Sequence, residues 1–240
     1  MDTMEKGKTI ILADNLSFAY DHKYSALEHL SFQIERGETI GIIGANGAGK
    51  STLLKILVGL LEDYQGRLEI NGLTVEKKTL KEIRKKVGYV FQDSESQLFL
   101  STVYEDVAFG PRNYGYPEET VEEKVLSALR LVHMEEHRDK QIYRLSGGQK
   151  KMAAIATVLS MEPEVILFDE PSTALDPRNR RNLVGVLNDL SCTKLIASHD
   201  MDFIKSTCDR VFLLADRTIR KIGTAEEIVM DRQLLEESGL

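Results

Sequence analysis

Two runs of alternating apolar and polar residues open the chain. Thr9–Tyr20 and Leu27–Glu35 each read as a β-strand, joined by the polar, turn-like Asp21-His22-Lys23-Tyr24-Ser25. After a second turn at Glu35-Arg36-Gly37-Glu38, the alternation gives way to the continuously apolar Thr39-Ile40-Gly41-Ile42-Ile43, which predicts a strand buried on both faces. A glycine-rich stretch follows, and Leu53–Val58 reads as the helix behind it. Gly66–Gly72 alternates again and ends in an Asn-Gly turn. A short charged helix is expected over Leu80–Lys86, then an apolar strand Val87–Phe91 that stops at Gln92.

From about Asp93 to Ser160 the texture is helical. Pro117-Glu118-Glu119 opens one helix with proline and acids in its first turn. Val121, Val125, Ala128, Leu129 and Val132 form its apolar stripe. A second helix starts near Ser146-Gly147-Gly148-Gln149 and carries Met152, Ala153, Ile155, Ala156 and Leu159. Strands resume at Val165–Phe168, Lys194–Ala197 and Arg210–Leu214, with helical segments between them. The tail Ala225–Leu240 is a charged helical pattern. Fully apolar strands alternating with helices imply a mainly parallel sheet covered on both faces. The expectation is an α/β core over about 1–92 and 161–240, with an N-terminal antiparallel β element. A helical subdomain is inserted over about 93–160, within a single domain spanning 1–240.

Composition narrows the function classes. A net charge of −7 over 240 residues argues against a nucleic-acid binder, which carries a basic face. Cys192 and Cys208 are too few and too separated for a disulfide framework, and read as small buried residues in a reducing compartment. No apolar run is long enough to span a bilayer, and Met1–Lys6 lacks the apolar segment of a secretory signal, so any membrane role is expected to run through a partner.

The chemistry lies at the ends of the apolar strands. Gly44-Ala45-Asn46-Gly47-Ala48-Gly49-Lys50-Ser51-Thr52 fits G-x-x-x-x-G-K-[ST] between a strand and a helix, the arrangement of a phosphate-binding loop. Glycines let successive N–H groups turn inward onto phosphate, and the helix N-terminus behind them adds partial positive charge. Lys50 is expected on the β- and γ-phosphates and the Ser51 hydroxyl on Mg²⁺. Asp169 and Glu170 end the strand Val165–Phe168. Asp169 suits the metal side, and Glu170, pointing elsewhere, suits a general base for an attacking water. His133 and His137 have helical spacing but no third ligand nearby in sequence, and read as a solvated helix end.

Leu145-Ser146-Gly147-Gly148-Gln149, between those two sites, resembles the signature motif of ABC-type ATPases. That resemblance covers nearly the whole chain and implies ATP and Mg²⁺ as ligands. It places Tyr20 on the adenine, with Tyr24 a nearby competitor, and Gln92 on Mg²⁺ and the water. Ser172-Thr173-Ala174-Leu175-Asp176 resembles the loop that crosses the dimer interface, with Asp176 at its end. His199, in Ala197-Ser198-His199-Asp200, resembles the switch histidine that contacts the γ-phosphate. Ser146, Gly147, Gly148 and Gln149 are implied to close over nucleotide held by a second ATPase subunit in a head-to-tail dimer, that subunit being the same chain or a paralogue.

Phe91–Phe99 and Thr102–Pro111 look like the energy-coupling-factor branch, which includes the ATPases of cobalt, nickel and vitamin importers, and Arg144–Ala156 looks most like the cobalt importer's ATPase. Ser94-Glu95 stands where that branch often has Pro-Asp, Met152 where arginine is usual, and Ala174 where glycine is common. The implied function is an ATP-hydrolysing subunit of a membrane importer. It would lie peripherally on the cytoplasmic face, with integral membrane subunits docking near Gln92–Phe109 and no nucleic-acid partner. The alternative reading is a soluble ABC-type ATPase acting on DNA-repair or ribosomal complexes. Such proteins generally carry two nucleotide domains or a long coiled coil, and neither pattern occurs here.

Overall fold

The computed structural model describes residues 7–21 and 24–240. Strands β1 (Thr9–Tyr20) and β2 (Tyr24–Glu35) form an antiparallel hairpin, followed by β3 (Thr39–Ile43) and helix α1 (Lys50–Leu57). Then come β4 (Gln65–Ile70), β5 (Leu73–Thr74), α2 (Leu80–Lys86) and β6 (Val87–Val90). Three helices separate β6 from the next strand: α3 (Val103–Asn113), α4 (Glu118–Leu131) and α5 (Gly147–Leu159). The chain ends as β7 (Val165–Asp169), α6 (Pro177–Asp189), β8 (Thr193–Ala197), α7 (Met201–Thr207), β9 (Arg210–Ala215), β10 (Thr218–Thr224), α8 (Ala225–Val229) and α9 (Arg232–Glu237).

Two sheets result. The first is antiparallel, in the order β2-β1-β4-β5. The second, in the order β10-β9-β3-β8-β7-β6, is parallel except for the antiparallel edge strand β10. Its central strands β3, β7 and β8 are buried at every position, and β8 buries even Thr193 and Lys194, the lysine's ammonium donating to the Leu190 carbonyl at 2.5 Å. Alternate residues of β7 feed two different cores. Val165 and Leu167 pack with α1 and the antiparallel sheet, whereas Ile166 and Phe168 pack with the helices α3–α7. Burial of this kind contributes roughly 1.5–3 kcal/mol per large apolar side chain, so the strand ends are held on a rigid plate.

Three local readings change. β2 begins at Tyr24, because Tyr20 pairs with Tyr24 and Ala19 with Ser25. These residues are polar or exposed and carry no burial pattern, so they look like turn in sequence; His22 and Lys23 lie outside the described residues. The two-residue strand β5 follows the Asn71-Gly72 turn and is too short to show a period. Edge strand β10, Thr-Ile-Arg-Lys-Ile-Gly-Thr, has no fully buried position, so no buried stripe marks it as a strand in sequence.

Candidate active site

Parallel pairing brings the C-terminal ends of β3, β8, β7 and β6 to one edge of the sheet, the edge at which open α/β sheets bind ligands. The phosphate loop leaves β3 there. Gly49 caps α1 at φ +99°, and a Cβ on it would stand 2.6 Å from Leu27 Cδ2 and 2.8 Å from the Ala26 carbonyl oxygen. Both the backbone angle and the space demand glycine. Gly47, at φ +82° with nothing within 4 Å of a notional Cβ, is needed for its backbone angle alone and leaves the loop's mouth open. These glycines form a concave, side-chain-free cradle ahead of the α1 N-terminus, which fits a chain of phosphates.

Lys50, the first residue of α1, is 7% exposed; its ammonium donates to the Gly44 carbonyl at 2.7 Å and the Ala45 carbonyl at 3.3 Å. Burial pulls its pKa below the usual lysine value, and the carboxylates of Glu170 and Asp169 oppose that shift. Ser51 donates its hydroxyl to Asp169 Oδ1 at 2.8 Å, and Tyr89 donates to Asp169 Oδ2 at 2.8 Å. A hydroxyl and a carboxylate oxygen already in contact are the hard donor set that a Mg²⁺ ion bound to phosphate takes.

Glu170 adopts φ +47°, a left-handed angle costly for a residue with a Cβ. Its N–H donates to the Ala197 carbonyl at 2.9 Å, which ties the strained residue to the end of β8. The next residues of that strand end return the contact. His199 Nδ1 lies 2.8 Å from Glu170 Oε2, and the His199 N–H donates to the same oxygen at 3.3 Å. Because a carboxylate only accepts, Nδ1 carries the proton in this pair. Lys50 Nζ is 4.0 Å from the other oxygen, Oε1.

One cavity of about 560 Å³ is lined by Tyr20, Tyr24, Asn46, Gly47, Gly49, Lys50, Ser51, Thr52, Gln92, Glu170 and His199. Gly44 and Asp169 stand behind it, holding Lys50 and Ser51. Tyr20 is fixed at its rim by a 3.1 Å hydrogen bond with Thr52 and by edge contact with Phe18; Tyr24 is the more exposed of the pair.

The remaining sequence-derived residues are elsewhere. Ser146, Gly148, Gln149 and Asp176 line a second cavity of about 790 Å³ between α5 and α6. Ser146 caps α5 in a reciprocal box: its hydroxyl accepts from the Gln149 N–H, and the Gln149 side-chain oxygen Oε1 accepts from the Ser146 N–H. Gly147 opens the helix without a side chain, and a Cβ on Gly148 would come within 2.4 Å of Asn179. Asp176 caps α6 through the Arg178 and Asn179 N–H groups. His137 Nε2 accepts from the Gln149 amide at 2.6 Å. Ala174 sits at φ +62°, which gives a physical reason for the glycine common at that position.

Sequence reasoning missed Tyr89 and Lys151. Tyr89 stands two residues before the end of its apolar strand and opposite Leu167, so its phenol reaches Asp169 only because β6 and β7 pair in parallel. Lys151, beyond the signature segment, is 3% exposed and reaches the main chain at Gln92. A lysine on the apolar face of a helix was the one available signal.

Residues 27–173 match the family described as ABC transporter. The energy-coupling factor transporter ATP-binding protein of Methanosphaera stadtmanae is 42% identical, over 97% of this chain and 85% of that protein. Its counterpart in Methanocaldococcus jannaschii is 41% identical, over 96% and 85%. Among solved structures, cbiO1 of Clostridium perfringens, part of the cbiONQ ABC transporter complex, superposes with a TM-score of 0.86. It shares 35% identity and covers 95% of this chain and 94% of that one. A dimeric ATP-binding cassette in a post-hydrolysis state with ADP and Pi gives a TM-score of 0.80 at 27% identity, over 90% and 99%. Motif, fold and kinship agree: this chain belongs to the ABC transporter family and is one of its ATP-binding, ATP-hydrolysing subunits.

Proposed function

We propose that the chain powers a membrane importer of the energy-coupling-factor type, for cobalt, nickel or a vitamin, by hydrolysing ATP in a head-to-tail dimer. One observation carries the dimer. Lys50, Ser51, Gln92, Glu170 and His199 converge on one cavity, while the Ser146 helix N-terminus opens on another. An anion site facing away from its own phosphate loop is useful to a second subunit. Kinship with energy-coupling factor proteins and with cbiO1 supports the importer class.

In this reading Tyr20 packs on the adenine, and Gly44, Asn46, Gly47, Gly49 and Thr52 shape and fix the loop around the phosphates. Lys50 neutralises the β- and γ-phosphates. Ser51, Asp169 and Gln92 would hold Mg²⁺, which when bound supplies charge neutralisation at the β- and γ-oxygens. Glu170 takes a proton from the water that attacks the γ-phosphorus, and ADP leaves with the electrons of the broken P–O bond. The Nδ1–H of His199 keeps the Glu170 carboxylate aimed while Lys50 sits on its other side. Ser146, Gly147, Gly148 and Gln149 of one subunit, with the Asp176 loop, complete the facing subunit's site.

No helix among the described residues is long and apolar enough to cross a membrane. In the proposed reading the chain lies on the cytoplasmic face, held there by integral membrane subunits. The exposed Phe99 and Phe109, in edge-to-face contact at 4.9 Å, give an integral membrane subunit an apolar foothold near Gln92. Cargo choice rests with those membrane subunits. The deciding experiment is Glu170→Gln: turnover should fall by about 10²–10⁴, with ATP still bound and a dimer retained on size-exclusion chromatography. Steady hydrolysis at the parental rate would remove Glu170 as base and the assignment with it.

A further inference from the structure

Lys151 is buried, yet its hydrogen bonds go to main-chain carbonyls and not to a carboxylate. Nζ donates to the Gln92 carbonyl at 2.7 Å and reaches the Phe91 carbonyl at 3.3 Å. The negative charges facing it are those of Asp93 and Asp169. A desolvated ammonium is costly unless its donors are used, and the Phe91 and Gln92 carbonyls are the acceptors that meet it.

A second side chain holds the same segment at the Phe91 N–H. Gln97 accepts from the Phe91 N–H at 3.0 Å through Oε1. Through Nε2 it donates to the Ala154 carbonyl at 2.7 Å and the Thr157 hydroxyl at 2.9 Å, both on α5. Lys150 adds an ion pair to Glu95 in the intervening loop. The main chain at Phe91-Gln92 is therefore bonded, at N–H and C=O alike, to groups anchored on the helix that begins at Ser146.

We infer that Lys151 and Gln97 are positioning residues that make the Gln92 segment and α5 a single rigid body, so that the placement of Ser146 and the placement of Gln92 are set together. Gln92 lines the cavity of Lys50 and Glu170, and Ser146 lines the other. One helix thus fixes both a residue of its own subunit's site and the segment offered to the facing subunit. This rests on the proposed role of Gln92 at the water.

The test uses the full chain with ATP and Mg²⁺, and Lys151→Met, which keeps the length and apolar stem but removes the donors. The expected result is a fall in kcat of about 10- to 10²-fold, the scale of a misplaced catalytic group, with KM and equilibrium ATP binding within about twofold of the parent. Lys151→Arg should recover most of the loss, because a guanidinium can reach both carbonyls. Should Lys151→Met fail to fold, Gln97→Met, at a half-buried position, is read in the same way. The decisive arm is the double variant. Added to Gln92→Ala, Lys151→Met should cost little more, because its effect passes through the Gln92 side chain. An equal further loss in that background overturns the inference, as does parental kcat in Lys151→Met when Gln92→Ala alone is slow. Parental turnover in Gln92→Ala removes the role of Gln92 itself, and the inference with it.

Discussion

The Tyr89 phenol is the second hydrogen bond to Asp169 and gives the sharpest test of how this site is held. Tyr89→Phe deletes one oxygen and leaves the ring in place against Phe91, so no cavity larger than the lost hydroxyl opens. What it removes is a 2.8 Å bond to a carboxylate that is 6% exposed. Burial, together with the charge and hydrogen bond of Asp169, pushes the phenol's pKa well above its ordinary value, so Tyr89 stays a donor throughout the working pH range. Hydrogen bonds to charged groups contribute about 1.5–3 kcal/mol, and the deserted oxygen Oδ2 is left in the interior. For a chain of this size that corresponds to a drop in Tm of roughly 3–12 °C.

Two readouts separate the site from the scaffold. Differential scanning fluorimetry without nucleotide measures the loss of stability. Hydrolysis against Mg²⁺ concentration should show a raised half-saturation point, since Asp169 then depends on Ser51 alone for its orientation. A double-mutant cycle with Asp169→Asn should give a coupling of about 1 kcal/mol or more. A Tm within about 1 °C of the parent together with an unchanged Mg²⁺ dependence would refute the claim that Tyr89 orients Asp169.

Two further outcomes follow from backbone strain and linkage. Ala174→Gly relieves a left-handed residue at φ +62° in the Ser172–Asp176 loop and should raise stability by up to about 1 kcal/mol, measured by urea unfolding; a destabilised variant would contradict the strain argument. Glu164 is the other case: burial raises its pKa, but hydrogen bonds from Asn71, Arg36 and Lys86 together outweigh that and hold it at about 2, against 4.5 for a free glutamate. The folded pKa is depressed, so the stabilisation is complete above the unfolded value and is lost as pH falls from 4.5 toward 2. With 27% of the side chain exposed, screening trims it to about 1–2 kcal/mol. The stability gap between parent and Glu164→Gln should therefore narrow as pH falls from 4.5 toward about 2, and a constant gap would refute it.

Much of the site could be read in the sequence because its parts are local. A glycine cradle needs its glycines at fixed spacing. A strand-end acid needs an apolar strand before it, and Val165–Phe168 ahead of Asp169 is apolar at every position. What escaped was contact between elements distant in sequence. Tyr89 meets Asp169 across 80 residues, and Lys151 meets Gln92 across 59. Tyrosine in a strand is an ordinary choice, and the one local mark is that Lys151 falls on the apolar face of its helix. Strands β5 and β10 escaped for a different reason: one is too short and the other too exposed to show a burial period.

The strand order explains why those distant pairs matter to one reaction. From β3 the sheet runs through β8 and β7 to β6, all parallel. The groups at their ends are, in that order, Lys50, His199, the Asp169-Glu170 pair and Gln92. Neighbouring strands lie about 4.8 Å apart, so adjacent strand ends can touch through side chains while the outer two stand some 14 Å apart. No hydrogen bond joins the Lys50 and Gln92 side chains among the described residues, although both line the same cavity. The contacts between neighbouring strand ends, Glu170 to His199 at 2.8 Å and Tyr89 to Asp169 at 2.8 Å, keep the middle of the row aligned. Gln92, on the edge strand β6, has sheet support on one side only. Its other support comes from α5 through Lys151 and Gln97, which hold the Phe91-Gln92 main chain from outside the sheet.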